Sequence, residues 1–305
     1  MLNKLSHLSK NQLTALRNLT HKIIQVIKPE KIMCYGSRTT IAKDWTIFGE
    51  DDVCKKHTYP TTYDLVIITN ADEKKEDHEL IQTIEQQAAG LNCDVTSVIL
   101  KTTAFSQALE AGWRFFTTAY SKGIMLYDSN ANIFYAPVQP FDNADLKKAM
   151  EAHWNQCFPI AQRFYKTAEG CIKDNWPEQA LFNLHQSAQH ACMALLRSIT
   201  GYRSTTHNLS RLLALIENFT MVPTTVFPCL TTEETELFNL LNKAYSEARY
   251  KESYTVPLEV AKVLQGRVKE LMTVTEDAYK KRLASLVLLE SVSFPVTVDK
   301  AVNAI

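Results

Sequence analysis

The chain has 305 residues, of which 46% are hydrophobic and 22% are charged, so it has the composition of a globular protein and the length of two domains. Lys and Arg together number 33, as do Asp and Glu, so no excess charge indicates a nucleic acid or an acidic membrane as the partner. A neutral total leaves local basic patches open, and RNA therefore stays among the candidate partners.

The cysteines and the apolar runs predict the compartment. Seven cysteines, an odd number without any C-x-x-C spacing, predict free thiols in a reducing cytosol. Residues 1–7 lack the apolar core of a signal peptide, and no apolar run reaches the length that crosses a bilayer. We therefore expect a cytoplasmic protein without a membrane partner.

Helix and strand patterns alternate in the first part of the chain. Apolar residues at helical spacing predict a helix over 10–28, and a short apolar run predicts a strand over 31–35. Gly36 and Ser37 then predict a turn into a helix that starts at Arg38. Free backbone N–H groups at such a helix start can hold phosphate.

Two carboxylates lie on the strands that follow. The run 62–68 carries Asp64 at its entrance, and the alternating run 93–100 carries Asp94. Carboxylates at the ends of neighbouring strands, opposite a phosphate-binding turn, are what a Mg²⁺-nucleotide site requires. The alternative is that each aspartate caps a turn or pairs with a nearby arginine.

The segment 44–61 has mixed charge and poor periodicity, so it reads as an insertion placed where it could cover a nucleotide. Its Asp51 and Asp52 are either extra metal ligands or surface charges. Further patterns predict two helices and two strands, followed by a linker around Pro137 and Pro140, and hence a mixed sheet with helices. These helices cover 78–89 and 103–111, and the strands cover 123–127 and 133–135.

Strand patterns nearly vanish after residue 145, and the helical periodicity predicts an all-α bundle. Pro177 stands at a favoured first helical position, and Gly201 ends that helix. The predicted helices span 145–173, 177–200, 206–219, 232–251, 257–275 and 277–291. Residues 293–305 read as a short strand or a swapped arm. The predicted fold class is therefore α+β, a mixed sheet with helices followed by a helical bundle.

The N-terminal pattern resembles the nucleotidyltransferase superfamily related to DNA polymerase beta, especially its minimal prokaryotic members. That family carries a Gly-Ser turn, an Asp-x-Asp ahead of an apolar strand, and a third Asp on a later strand. Gly36 and Ser37 match the turn, Asp64 matches the second Asp and Asp94 the third. Thr62 stands where the first Asp belongs, and a neutral hydroxyl is a weak metal ligand.

The resemblance implies a role for each matching residue. Asp64 and Asp94 would be catalytic and would hold Mg²⁺, or Mn²⁺ in its place. Gly36, Ser37 and Arg38 would bind the phosphates of an NTP such as ATP. The acceptor of the nucleotidyl group would be an RNA, a protein hydroxyl or a small molecule.

The helical half resembles a HEPN domain. The resemblance rests on the runs 180–191, 206–209 and 244–250. HEPN domains bind nucleotides or, in many members, cleave RNA with an Arg followed four to six residues later by a His. Here Tyr254 stands where Arg249 would need that His, and a phenol is a poor near-neutral acid or base. This substitution argues against ribonuclease activity, while Arg249 either grips a nucleotide phosphate or forms a structural ion pair.

The resemblances predict a nucleotidyltransferase-like domain over 1–138, a HEPN domain over 141–282 and a tail over 283–305. Three functions stay open: transfer of a nucleotidyl group, nucleotide sensing by a degenerate module, and RNA binding or cleavage of the toxin–antitoxin type. A homodimer through the HEPN helices is expected by resemblance, with the twofold symmetry that is commonest for such pairs.

Overall fold

The computed structural model describes residues 5–39, 41–44, 55–58, 60–135, 142–251 and 253–292. The chain is an α+β protein with a mixed sheet near its N-terminus and a helical region after it, which confirms the predicted fold class. It divides into two compact units. Unit 1 comprises Met1–Val138, Thr200–Tyr202 and Ala214–Met221, and unit 2 comprises Gln139–Ile199, Arg203–Leu213 and Val222–Ile305.

The main sheet of unit 1 has the strand order β5-β4-β1-β6. Its strands are β1 (Lys31–Arg38), β4 (Thr61–Thr69), β5 (Cys93–Lys101) and β6 (Ile124–Asp128). β4 lies parallel to β5 and antiparallel to β1, which in turn lies antiparallel to β6. A separate antiparallel ladder joins β2 (Ile41–Asp44), which ends where the predicted insertion begins, to β3 (Lys55–Thr58), which lies inside it.

Four helices accompany the described strands of unit 1: α1 (Lys10–Ile27), α2 (Asp77–Ala89), α3 (Thr102–Glu110) and α4 (Arg114–Lys122). α1 begins at a capping box in which Ser9 and Gln12 satisfy each other's backbone N–H groups. α1 and α2 cover one face of the sheet, and fully buried side chains such as Ile23, Ile84 and Leu65 form the core between them. Burial of this apolar face is what holds the register of the strands.

The predicted helix start after Gly36 is wrong, because β1 continues through Gly36, Ser37 and Arg38. Its pairing with β4 shifts by a bulge between Cys34 and Gly36 and then runs on to Arg38. Tertiary pairing therefore overrides the local turn signal of Gly-Ser. The strand predicted over 133–135 is also absent from the described structure, where Phe134 instead packs edge-on against Phe105.

Unit 2 is built from helices. They are α5 (Asn143–Lys173), α6 (Pro177–Thr200), α7 (Leu209–Glu217, whose residues from Ala214 onward belong to unit 1), α8 (Thr232–Tyr250) and α9 (Leu258–Val292). α5 packs on α9, where the Trp154 ring stacks between Phe158 and Tyr279 with centroids 4.3 and 4.2 Å away. α9 is continuous where two helices were predicted, because no Gly or Pro interrupts it near residue 276. The predicted linker prolines, Asp51, Asp52 and residues 293–305 lie outside the described ranges.

Candidate functional site

One face of the main sheet collects most of the residues that the nucleotidyltransferase pattern singles out. Gly36 pairs with Asp64 and Arg38 with Thr62 across the antiparallel strands, and Thr62 pairs with Asp94 across the parallel ones. Cross-strand partners share a face, so these positions lie side by side. Ser37 alternates to the opposite face, where its hydroxyl hydrogen-bonds the Nε2 of His7 at 2.8 Å.

Asp64 is fully buried and every partner around it favours its ionised form. Nη1 of Arg38 donates to both carboxylate oxygens at 2.6 Å, and Nδ2 of Asn218 donates to Oδ2 at 2.8 Å. Burial raises the pKa of Asp64, while the guanidinium, the Asn218 amide and the Thr96 hydroxyl act against that rise.

The residues around Asp64 do not fit a magnesium ion. Mg²⁺ requires exposed oxygen ligands in an octahedral arrangement, but both Asp64 oxygens already accept hydrogen bonds from a cation. Asp94 is exposed on β5, and Thr62 contributes no charge. Among the residues that the structure describes, no group of three or more His, Cys, Asp or Glu side chains is arranged to hold a metal. The metal and the NTP therefore stay predictions that the geometry does not favour.

A second cluster lies at the C-terminal end of α8 in unit 2, and we call Tyr245, Arg249, Tyr250 and His207 the Tyr245 cluster. The guanidinium carbon of Arg249 lies 4.0 Å from the Tyr245 ring centroid and 4.9 Å from that of Tyr250. Its Nε donates to the Tyr245 carbonyl at 2.6 Å. These contacts fix the planar cation against two aromatic rings.

The imidazole of His207 stacks on the Tyr245 ring with centroids 3.9 Å apart and planes 9° from parallel. The guanidinium of Arg249 approaches the same ring almost as closely. Two groups cannot occupy one face of a phenol at such distances, so the ring separates the imidazole from the guanidinium. The result is a sandwich of three flat groups.

Side chains of α6 fix the orientation of His207. Nδ1 of His207 lies 3.1 Å from Oε1 of Gln189 and therefore donates to it, which leaves Nε2 without a proton in the neutral ring. Nε2 of the fully buried His185 donates to the His207 carbonyl at 2.9 Å. The Gln186 amide donates to Nδ1 of His185 at 3.2 Å, which completes the chain of hydrogen bonds.

Both histidines are held in the neutral form. Burial lowers the pKa of His185 to about 4. Burial, followed by the charge of Arg249, lowers the pKa of His207 below its ordinary value. His207 is nevertheless exposed, so its ring combines a neutral state with access to solvent.

The sequence identified part of the Tyr245 cluster. The sequence predicts Arg249 and places Tyr254 where its partner His would be needed, but Tyr254 is buried in the structure. The histidine that lies close to Arg249 is His207, from the loop between α6 and α7. The Thr206-His207-Asn208 run belongs to the HEPN-like pattern, and this is a signal by which the sequence could identify His207.

Comparison with known proteins identifies a domain family in the helical part of the chain. Residues 154–278 match the family model described as HEPN domain, which includes α6, α8 and every member of the Tyr245 cluster. No curated protein matches the chain. Among the helices that the structure describes, none is long and apolar enough to pass through a bilayer. The helical part of the chain is thus a HEPN domain over residues 154–278, as its sequence pattern predicted.

Proposed function

We propose that the HEPN domain binds single-stranded RNA at the Tyr245 cluster. The observation that carries this proposal is the stack of His207, Tyr245 and Arg249, with Tyr250 beside it. Single-stranded RNA is recognised by aromatic and guanidinium planes that stack on bases and by cations that contact phosphate. Both kinds of group occur here within one helical turn.

Arg249 has hydrogen-bonding capacity left for a ligand. Its Nε is used by a carbonyl, and no described carboxylate lies within ion-pair distance of its terminal nitrogens. Glu247, two residues earlier on α8, is paired with Lys251 at 3.6 Å. A guanidinium with free terminal N–H groups can bind a phosphate in bidentate fashion.

Tyr250 supplies the stacking surface, because 77% of its surface is exposed at the end of α8. An exposed aromatic ring beside a guanidinium is poorly explained as core packing, since it contributes little buried apolar area. Stacking of one base on such a ring is worth roughly 1–3 kcal/mol.

The test is titration of the full chain with a fluorescently labelled single-stranded RNA, followed by anisotropy. We expect Tyr250→Ala to weaken binding roughly 5- to 150-fold and Arg249→Ala to weaken it about tenfold. Arg282→Ala, an exposed arginine of α9, is the matched control. Equal affinities for all three variants and the unaltered chain would refute binding at this cluster.

RNA cleavage is the second candidate, favoured by the proton-free Nε2 of His207. In this reaction the ribose 2′-oxygen attacks the adjacent phosphorus while its proton passes to Nε2 of His207. The bond from phosphorus to the 5′-oxygen breaks, and the leaving oxygen takes a proton from water. The products are a 2′,3′-cyclic phosphate and a 5′-hydroxyl, and Arg249 stabilises the negative charge that develops on the phosphoryl oxygens.

Cleavage is tested by identifying the RNA ends after incubation with EDTA present. His207→Asn keeps a donor toward Gln189 but removes Nε2, so we expect it to bind RNA and to lose cleavage. Cyclic phosphate ends formed equally by His207→Asn would exclude His207 as the base and indicate a contaminating nuclease.

A further inference from the structure

Residues 214–221 are tied to a single buried ion pair in unit 1 at several points. Asn218 donates to Asp64 at 2.8 Å. Nη2 of Arg38 donates to the Ala214 carbonyl at 3.1 Å and lies 3.4 Å from the Glu217 carboxylate. These hydrogen bonds and the ion pair therefore hold the end of α7 and the turn after it against the sheet face that carries Asp64.

Gly36 leaves the space that this contact needs. A Cβ at position 36 would lie 2.1 Å from Nδ2 of Asn218 and 2.7 Å from Oδ2 of Asp64. Both distances are far below any real carbon contact, so a side chain at position 36 would push the Asn218 amide off the carboxylate. Gly36 follows the bulge in β1 but does not have a positive φ, so close approach, not a left-handed backbone, explains the glycine.

The negative charge of the buried Asp64 carboxylate is neutralised by an arginine of the same chain. A buried carboxylate requires a compensating cation and filled hydrogen-bonding positions. Arg38 supplies the cation with bonds to both oxygens, and Asn218 fills a remaining position. A divalent ion would have to displace the guanidinium, and a larger ligand would have to displace residues 214–221.

We propose that residues 214–221 are an intramolecular plug, that is, a segment of the chain that covers the sheet face at Asp64. The plug occupies the place that the nucleotidyltransferase pattern assigns to a bound metal ion and a nucleotide phosphate. Arg38 and Asn218 hold the plug in place through their polar contacts, and Gly36 leaves the space that the Asn218 amide occupies. While the plug is closed, the face binds neither Mg²⁺ nor Mn²⁺. The proposal concerns unit 1 alone and is independent of RNA binding at the Tyr245 cluster.

The first test is amide hydrogen exchange of the full chain, read by mass spectrometry. Asn218→Ala removes a hydrogen bond to a charged group, so we expect exchange of the 214–221 amides to rise about tenfold or more. We expect Gly36→Ala to do the same. The amides of α3 serve as the internal reference, and Asn70→Ala and Gly90→Ala are the matched controls, because Asn70 is exposed and a Cβ at Gly90 meets only ordinary contacts.

Unchanged exchange over 214–221 in Asn218→Ala would overturn the plug. That variant removes atoms without adding any, so it serves even if Gly36→Ala does not fold. The second test is a Mn²⁺ titration followed by the electron paramagnetic resonance of the free ion. We expect no saturable binding that depends on Asp64, and binding by the unaltered chain that Asp64→Asn abolishes would also overturn the proposal.

Discussion

At the scale of single residues, His185 shows how a buried neutral imidazole can organise a surface group. It is fully buried, and its ring joins the His207 backbone to the Gln186 side chain. A protonated ring could no longer accept the bond from Gln186 and would be a buried charge without an acidic partner among its described contacts. Acid should therefore loosen the support of His207.

The first prediction concerns this residue and pH. The folded chain holds the pKa of His185 near 4, below the ordinary 6.5. The unfolded chain then binds the proton more readily between these values, so the free energy of unfolding falls as pH falls from about 6.5 to about 4. The loss amounts to about 3 kcal/mol. Urea denaturation across this pH range measures it.

His185→Gln keeps a donor toward the His207 carbonyl but does not titrate, so the fall in stability with acid should be smaller in this variant. His78→Gln, at an exposed position of α2, is the control and should retain the full fall. The same pH profile in all three proteins would contradict a neutral buried His185.

At the scale of secondary-structure elements, two glycines have opposite roles. Gly123 ends α4 just before β6, and a Cβ there would lie 2.3 Å from the Ala119 carbonyl oxygen, which is a backbone atom and could move aside only if the end of α4 shifted. Gly266 lies on the exposed side of α9, and a Cβ there would meet nothing within 4 Å. A glycine is required at position 123 because a side chain would clash there, whereas the glycine at position 266 only lowers the stability of its helix.

The second prediction compares alanine at these two positions. Gly123→Ala should lower the free energy of unfolding by roughly 1–3 kcal/mol through the forced shift of α4 against β6. Gly266→Ala should raise it by about 0.5–1 kcal/mol, because alanine loses less backbone entropy in a helix. Urea denaturation followed by circular dichroism measures both, and effects of the same sign would contradict the geometry.

At the scale of the whole molecule, the balance of charge limits how RNA can be bound. The formal net charge is zero and the isoelectric point is near 7.1. No long-range positive field then collects RNA, and affinity must come from local stacking and from a few cations. The Tyr245 cluster is a contact of this local type.

The third prediction is therefore a weak dependence of RNA affinity on salt. Each phosphate neutralised on a single strand contributes a slope of about −0.7 to the logarithm of affinity against that of salt. One or two contacts give a slope of roughly −1. Anisotropy titrations at several KCl concentrations measure this slope, and a slope steeper than about −4 would indicate an extended basic surface instead.

The homodimer expected from the HEPN resemblance stays a prediction, which light scattering would test.

The sequence predicted the elements whose signals are local. Periodicity placed α5 and α6 within about two residues, since Pro177 and Gly201 mark the ends of α6. The turn assigned to Gly36 failed because pairing with β4, which no local signal reports, carries β1 onward. Asn218 reaches Asp64 across 154 positions of sequence. Its role depends on tertiary structure, as does that of His207 beside Arg249.

The ring stack between α5 and α9 also has an optical consequence. Trp154 is 7% exposed, whereas the other described tryptophans, Trp113 and Trp176, are 58% and 56% exposed. Exposed indoles emit at nearly the same wavelength in folded and unfolded chains, so among these three tryptophans Trp154 would contribute chiefly to a red shift on unfolding. The emission of Trp154 would thus follow the helical unit, while circular dichroism would follow helices throughout the chain. Two transitions that do not coincide would mean that the units unfold separately.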